Sequence, residues 1–327
     1  MPPDLKNNVL AVSIDENYID AAKQLFASVY FNAGWQGDYL LLATDIPQNK
    51  LEWFRKKGIY VYKCRALMTK GREPYPVSNV SLLYLFQEYF KKWEKILYLD
   101  VDMIVRGSLD DLVKHQGFAA APFLVFKRLK LKTTLWPEFQ KADNLPKRYH
   151  LNDSSAGVAV NVIDTSVIGP ETFGELKKML NQYNKMAQAV DELVLSLYFH
   201  RRWQKISRFY NVVPRILVKY CGVKPDKVKG VVLHFLGSND KPWFERSDFY
   251  QEWLDNFKKA DLIDLANRPP AKTKWQRHEI YRYFFYVYLR YAWRRPLFLA
   301  IWLSGIAGRL IFQVNPGLYF RLKKLFK

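Results

Sequence analysis

The sequence predicts an α/β domain, a sheet of strands alternating with helices, followed by a helical C-terminal segment that is basic and aromatic. Three observations carry this. Short apolar runs alternate with stretches of helical periodicity through the first hundred residues, the pattern of parallel strands joined by helical crossovers. Acidic residues stand directly after two of those runs, at Asp15 and Asp100, where ligands bind in such sheets. The last fifth of the 327-residue chain changes composition altogether.

Val9–Ile14 reads as a buried strand, interrupted by Asp15-Glu16-Asn17-Tyr18, and Ala21–Val29 as the helix that follows. Tyr39–Ala43 is a second strand, Leu51–Lys57 a helix and Ile59–Tyr62 a third strand. Leu82, Leu83, Leu85, Phe86, Tyr89 and Phe90 recur at helical spacing, so 79–92 is expected as an amphipathic helix. Ile96–Leu99 is continuously apolar, as a strand buried on both faces must be. Met103–Val105 continues the chain, and Ser108 with Asp111 three residues on is expected to cap a helix. Residues 127–150 are basic and irregular, a surface excursion. Gly157–Ile163 is a further strand, 172–199 mainly helix, and Val231–Phe235 a last strand carrying His234.

The formal net charge of +20 implies an anionic partner. Twelve Lys or Arg lie between Lys272 and the C-terminus, opposed only by Glu279. Two cysteines, Cys64 and Cys221, are too few for a disulfide framework and lack metal-ligand spacing, so buried thiols in a reducing compartment are expected. Val9–Ile14 is too short for a secretory apolar core, which leads to the expectation of a cytoplasmic protein or a cytoplasmic membrane face.

Two constellations carry chemistry. In Leu99-Asp100-Val101-Asp102, two acids one residue apart point the same way from a regular strand end. Both can then face one Mg²⁺ or Mn²⁺, a hard cation that accepts carboxylate, phosphate and water oxygens together. The alternative is an ordinary acidic turn. In His234-Phe235-Leu236-Gly237-Ser238-Asn239-Asp240-Lys241-Pro242-Trp243, a histidine ends an apolar strand, Gly237 permits close backbone approach, and Lys241 offers a point charge for phosphate oxygens. A histidine so placed is otherwise a satisfied structural residue.

These two runs, with Ser13-Ile14-Asp15-Glu16-Asn17-Tyr18, Ser155-Ala156-Gly157-Val158 and Asp191-Glu192, resemble glycosyltransferase family 8 from about Val9 to Trp243. That family comprises retaining enzymes that include glycogenin and bacterial lipooligosaccharide galactosyltransferases. The resemblance implies a GT-A fold, a Rossmann-like mixed sheet flanked by helices; the catalytic domain is expected over residues 1–268 and a basic, aromatic membrane-association segment over 269–327. It implies a UDP-sugar donor and Mn²⁺ or Mg²⁺. Asp100, Asp102 and His234 would ligate the metal, and Gly237 and Lys241 would contact the diphosphate. Ser13, Asp15, Asn17 and Tyr18 would hold uridine, with Val101 in the same nucleotide-sugar-binding set. Asp191 would bind donor-sugar hydroxyls. Glu192 would sit beneath the anomeric carbon, where a carboxylate stabilises or attacks an oxocarbenium-like centre; otherwise it is a solvated helix residue.

Three departures stand out against the family pattern. The basic residue expected before the metal strand is Leu83, so that Lys70 or Arg72 would have to supply the cation. Ser155 replaces an asparagine of the sugar pocket. One extra residue separates Gly237 from Lys241.

The C-terminal segment interleaves Tyr281, Tyr283, Phe284, Phe285, Tyr286, Tyr288, Tyr291 and Trp293 with Arg282, Arg290, Arg294 and Arg295. Pro296–Ala307 is uncharged but too short to span a bilayer. Rings at headgroup depth with cations on anionic lipid suit a peripheral membrane segment; a core helix is the alternative. No nucleic-acid-binding signature is present. The expected acceptor is a glycan or glycolipid of lipooligosaccharide type. The same fold acting on a protein or soluble glycan, and a non-catalytic nucleotide-sugar or membrane-binding module, stand as alternatives.

Overall fold

The structure is a computed structural model that describes residues 5–68, 77–122, 130–140, 145, 149–237 and 239–294. The chain divides into two compact units, Met1–Pro214 with Lys229–Gln276, and Arg215–Val228 with Arg277–Lys327.

In the first unit, β1 (Asn8–Ile14) leads through a single 3-10 turn into α1 (Ile19–Ser28). Then follow β2 (Asp38–Thr44), α2 (Glu52–Lys56), β3 (Tyr60–Cys64), β4 (Lys95–Leu99), β5 (Met103–Val105), β6 (Phe118–Ala120) and β7 (Val160–Asp164). The helices α3 (Thr172–Tyr183) and α4 (Val190–Tyr198) precede the two-residue β8 (Gln204–Lys205). The helix α5 (Pro214–Cys221) carries the chain into the second unit, and β9 (Val232–His234) and α6 (Tyr250–Lys258) return to the first. The last described helix is α7 (Arg277–Arg294), in the second unit.

Seven strands form one sheet in the order β3-β2-β1-β4-β7-β6-β8, and β5 pairs with β9 in a second. The first four strands are parallel, as the alternation predicts, while β7 runs antiparallel to both β4 and β6. This is the mixed sheet of the GT-A expectation. From β1 the chain builds outward to β2 and β3, then returns to place β4 on the other side. The switch therefore lies between β1 and β4, and their carboxyl ends open the crevice in which such sheets bind ligands.

Alternation along the strands makes two faces. Val9, Ala11, Leu40, Leu42, Ile96 and Tyr98 join a core with Leu82, Phe86, Leu176 and Val194 under α3 and α4. Leu10, Val12 and Leu41 point to the other face and are equally buried, on the side of α1 and α6. Burial on both faces is why these strands read as unbroken apolar runs.

Two expected helices differ. The segment 79–92 is two 3-10 stretches, Val77–Phe86 and Glu88–Lys92, broken at extended Gln87. Leu82, Leu83, Leu85 and Phe86 are buried around the whole circumference, against β1, β2, α3 and α4, and Ser81 bonds Thr44 within the core at 2.8 Å. An element apolar on every side carries no amphipathic period to read. Ser108 accepts the N–H of Asp110 at 3.2 Å and turns the chain toward one 3-10 turn, Leu112–Lys114, rather than capping a helix.

Residues 269–276 lie in the first unit. Gly34 holds a left-handed φ of 61°, and a Cβ there would stand 2.4 Å from the backbone of Ala271. Only glycine tolerates both conditions. Ser108 N–H donates to Thr273 O at 2.8 Å and Lys272 N–H to Asn32 O at 2.9 Å.

The second unit, described through 215–228 and 277–294, packs α7 by one stripe. Tyr283 and Val287 are buried, Tyr283 donates to Lys227 O at 3.4 Å, and Arg290 donates to the carbonyls of Cys221 and Gly222 at 3.2 and 2.8 Å. Both cysteines are buried and free, as expected. Pro296–Ala307 and the basic residues beyond it lie outside the described residues. No helix among the described residues is long and apolar enough to cross a membrane.

Candidate active site

β4 delivers Asp100 and Asp102 to the crevice, and pairing of Met103 with His234 across β5 and β9 brings the histidine to them. The Nε2 of His234 lies 3.3 Å from Asp102 Oδ1 and 3.9 Å from Asp100 Oδ2. One ligand atom from each of the three falls within 4.8 Å of the others. Backbone bonds fix the frame: Asp100 N–H donates to Ala159 O at 2.9 Å, His234 N–H to Val212 O at 2.8 Å, and Phe235 N–H to Asp102 O at 3.0 Å.

Asn211 sets the imidazole tautomer, a role that sequence reading misses. Its amide nitrogen donates to Ala121 O at 2.7 Å, which turns its oxygen to accept from His234 Nδ1 at 2.9 Å. Nδ1 thus donates to Asn211, and Nε2 is left facing the carboxylates as the ring atom that would ligate a cation. Two carboxylates and one imidazole form a donor set that fits a divalent cation such as Mn²⁺ or Mg²⁺.

The carboxylates differ electrostatically. Burial pushes the Asp100 carboxyl up to about 7, against the pull of His234, and the charges of Asp102 and Asp191 push the same way. Burial also opposes ionisation of Asp102, but His234 and Lys241 together outweigh it and hold that carboxyl well below the usual range. Lys241 bonds Asp102 Oδ2 directly and donates to Phe235 O at 2.9 Å. Gly237 starts that loop with φ of 86°, so the glycine is required there. Ser238 lies outside the described residues.

The end of β1 contributes the next wall. Asp15 accepts the backbone N–H of Asn17 at 3.0 Å and the hydroxyl of Ser78 at 3.0 Å, while Ser13 donates to Ser78 O at 3.1 Å. The amide side chain of Asn17 is exposed. Tyr18 packs edge-on against Trp243 at 6.0 Å. Burial raises its pKa, and it also feels Lys241, Asp15 and Asp102. The segments after β1, β4 and β9 therefore converge, with half-buried Val101 between the two aspartates.

α4 presents the last pair from its first turn. Burial raises Asp191 to about 6, opposed by bonds from the helix's own N–H groups. Glu192 is buried and pushed up to about 8 by desolvation, which outweighs the hydroxyl bond from Ser155. It is not a solvated helix residue. Ser155 donates to Glu192 Oε1 at 2.6 Å and meets Ser196 at 3.0 Å, and Ser196 accepts Ala156 N–H at 2.9 Å. Tyr98 also bonds Asp100 from within the core. Leu83 is fully buried in the sheet's core and takes no part in the site; Lys70 and Arg72 lie outside the described residues.

Known proteins share this fold. LgtC, a galactosyltransferase solved with donor and acceptor sugar analogues, matches 77% of the chain and 95% of its own, with a TM-score of 0.59 at 16% identity. GlyE from Streptococcus pneumoniae TIGR4 matches 83% of the chain and 66% of its own, with a TM-score of 0.54 at 19% identity. At these identities the likeness is one of fold. In sequence, glycosyltransferase GlyB of Streptococcus pneumoniae is 28% identical over 61% of the chain, which spans about half (51%) of that relative's length. Galactinol synthase 7 of Arabidopsis thaliana is 23% identical over 69% of the chain and 74% of its own length. The family model described as glycosyl transferase family 8 matches residues 9–247, most of the chain, and the chain belongs to that family.

Proposed function

We propose that this protein is a metal-dependent retaining glycosyltransferase that moves a hexose from a UDP-sugar to a glycan or glycolipid acceptor. The observation that carries the reading is the convergence of Asp100, Asp102 and His234 beside Lys241 at the mouth of the sheet.

Asp100, Asp102 and His234 would hold the cation, which when bound would supply Lewis-acid neutralisation of charge on the departing UDP. Lys241 adds a fixed positive charge on the same leaving group, prepaid by its position between Asp102 and Phe235 O. Tyr18, Asp15 and Ser13 form the wall for the uridine. Asp191, mainly ionised at neutral pH, accepts from hydroxyls of the donor sugar and places negative charge near the developing oxocarbenium centre. Glu192 is mainly protonated at neutral pH and acts as a positioning acid rather than as a nucleophile. With retention, the acceptor hydroxyl enters on the face the diphosphate vacates, and a phosphate oxygen takes its proton.

The second unit supports a peripheral membrane reading. Tyr281, Phe285, Tyr288, Leu289 and Trp293 recur three and four residues apart on α7, and all are exposed, Trp293 to 86%. This stripe lies opposite the buried Tyr283 and Val287, and the exposed Arg277 and Arg282 stand beside it. Such a face suits an anionic membrane surface; docking there, on the cytoplasmic side, would bring the enzyme beside lipid-linked acceptors.

Release of hexose from UDP-glucose and UDP-galactose is the direct test. Mn²⁺-dependent hydrolysis that disappears in Asp102→Ala supports the reading. Equal rates with and without the cation, or in the variant, would sink it.

A further inference from the structure

The strand order puts a second cavity, of about 500 Å³, at the edge of the sheet that carries the metal-site residues. That volume is in the range of small-ligand sites. β6 and β8 are parallel, with Ala120 beside Lys205, and β7 runs antiparallel to β4 and β6, with Val160 opposite Leu99. Residues that follow β6 or precede β7 therefore lie at the end to which β4 delivers Asp100 and Asp102. Pro122 follows β6, Asp153 and Ser155 precede β7, and the turn after α4 supplies His200, Arg201 and Trp203; all line the cavity.

Hydrogen bonds tie these walls to the candidate active site on both sides. Ser155 donates to Glu192 Oε1 at 2.6 Å. The carbonyl of Ala121, next to Pro122, anchors Asn211, which in turn holds His234.

The charged side chains of the wall are already engaged. Asp153 Oδ2 accepts from His200 Nε2 at 2.7 Å, from Arg201 at 3.4 Å and from the N–H of His150 at 3.4 Å. Arg201 takes a left-handed φ of 59° in the turn that brings it and His200 to this carboxylate. A residue with a side chain keeps that conformation where its surroundings impose it. Lys205 and Arg208, which also line the cavity, have partners of their own. An incoming carboxylate or phosphate would have to displace one of these contacts.

What the wall does offer is an oxygen and a ring. Asp153 Oδ1 makes no hydrogen bond among the described residues, while Oδ2 fixes the carboxylate, so Oδ1 is a positioned acceptor for a hydroxyl. Trp203 packs on the core of the sheet and also lines the cavity. An indole presents an apolar face with a polar N–H at its rim. Hydroxyls carried on an apolar ring frame match this pair, and an uncharged sugar has both.

We propose that this cavity is the acceptor subsite for an uncharged pyranose, with the C–H face of its ring on Trp203 and a hydroxyl on Asp153 Oδ1. The word acceptor rests on the glycosyltransferase reading above; the binding itself is measured apart from it.

The experiment is calorimetric titration of the full chain, saturated with UDP and Mn²⁺ so that the donor end is filled. The probes are methyl β-glucoside and methyl β-galactoside, each beside its uronic acid and 6-phosphate counterparts. At least one methyl hexoside is expected to bind saturably, about tenfold or more tightly than its two charged counterparts. Trp203→Leu keeps apolar bulk against the core but removes the ring, and it weakens that hexoside about tenfold; Trp203→Phe restores most of the affinity. Failure of both methyl hexosides to bind the wild type overturns the proposal. So does tighter binding of a charged counterpart, a comparison that needs no variant to fold. Unchanged hexoside affinity in Trp203→Leu overturns it as well. Absence of UDP-sugar hydrolysis in the wild type overturns the transferase reading instead, and hexoside binding that still follows the Trp203 variants then belongs to a sugar-binding site without transfer.

Discussion

The amide oxygen of Asn211 accepts the Nδ1 proton of His234 at 2.9 Å while its nitrogen is anchored on Ala121 O at 2.7 Å. Neither group can turn without leaving a buried polar atom unpaired. The bond thus commits Nε2 to the side of the two aspartates. Asn211→Ala should weaken Mn²⁺ binding about 10–100-fold, the usual effect of removing a partner that orients a metal-binding histidine. Titration of Mn²⁺ followed by electron paramagnetic resonance reads this directly. Undiminished affinity would show that packing alone orients the ring.

The pH dependence of stability should carry the signature of Glu192. Its folded pKa, about 8, stands above the ordinary 4.5, so between those values the folded chain keeps a proton that the unfolded chain releases. Stability is then full below about 4.5 and is lost as pH rises through about 8. Asp191, raised to about 6, adds a loss of the same sign lower in the range. Glu192→Gln removes the larger part. The variant should gain roughly 5 °C in melting temperature over the wild type at alkaline pH and much less at acid pH. Parallel melting curves across pH would refute the buried, protonated state.

What the sequence makes legible follows from how completely an element is buried. β1, β2 and β4 are covered on both faces, so each is an unbroken apolar run, and the aspartates after β4 stand where a parallel sheet binds ligands. In the 3-10 stretch Val77–Phe86, residues 78–86 are all buried or half-buried, and with no exposed side the stretch gives no period by which to choose its helix type. Asn211 is illegible for another reason. Its function depends on the pairing that sets His234 beside Val212, a contact no local pattern contains.

The exposed stripe of α7 yields a membrane prediction. Phe285→Ser with Trp293→Ser should reduce co-sedimentation with vesicles of anionic lipid about tenfold, since each ring removes apolar area from the interface. Both side chains are exposed, so the melting temperature should hold. Neutral vesicles should capture the wild type poorly, because the flanking arginines need anionic headgroups. Equal sedimentation of wild type and variant would assign the stripe to something other than lipid.

Lys241 separates donor binding from metal binding. Its ammonium sits on Asp102 Oδ2, whereas Oδ1 of the same carboxylate faces His234. It therefore does not block the oxygen offered to a cation, but its charge repels one. Once a nucleoside diphosphate is present, the same charge becomes attractive. Lys241→Gln should bind Mn²⁺ alone more tightly than the wild type, while the KM for UDP-sugar rises about tenfold. Calorimetry with Mn²⁺ and initial rates with the donor measure the two effects on one protein. Should Mn²⁺ binding weaken instead, the main task of Lys241 would be to orient Asp102, and its bond to that carboxylate would matter more than its charge.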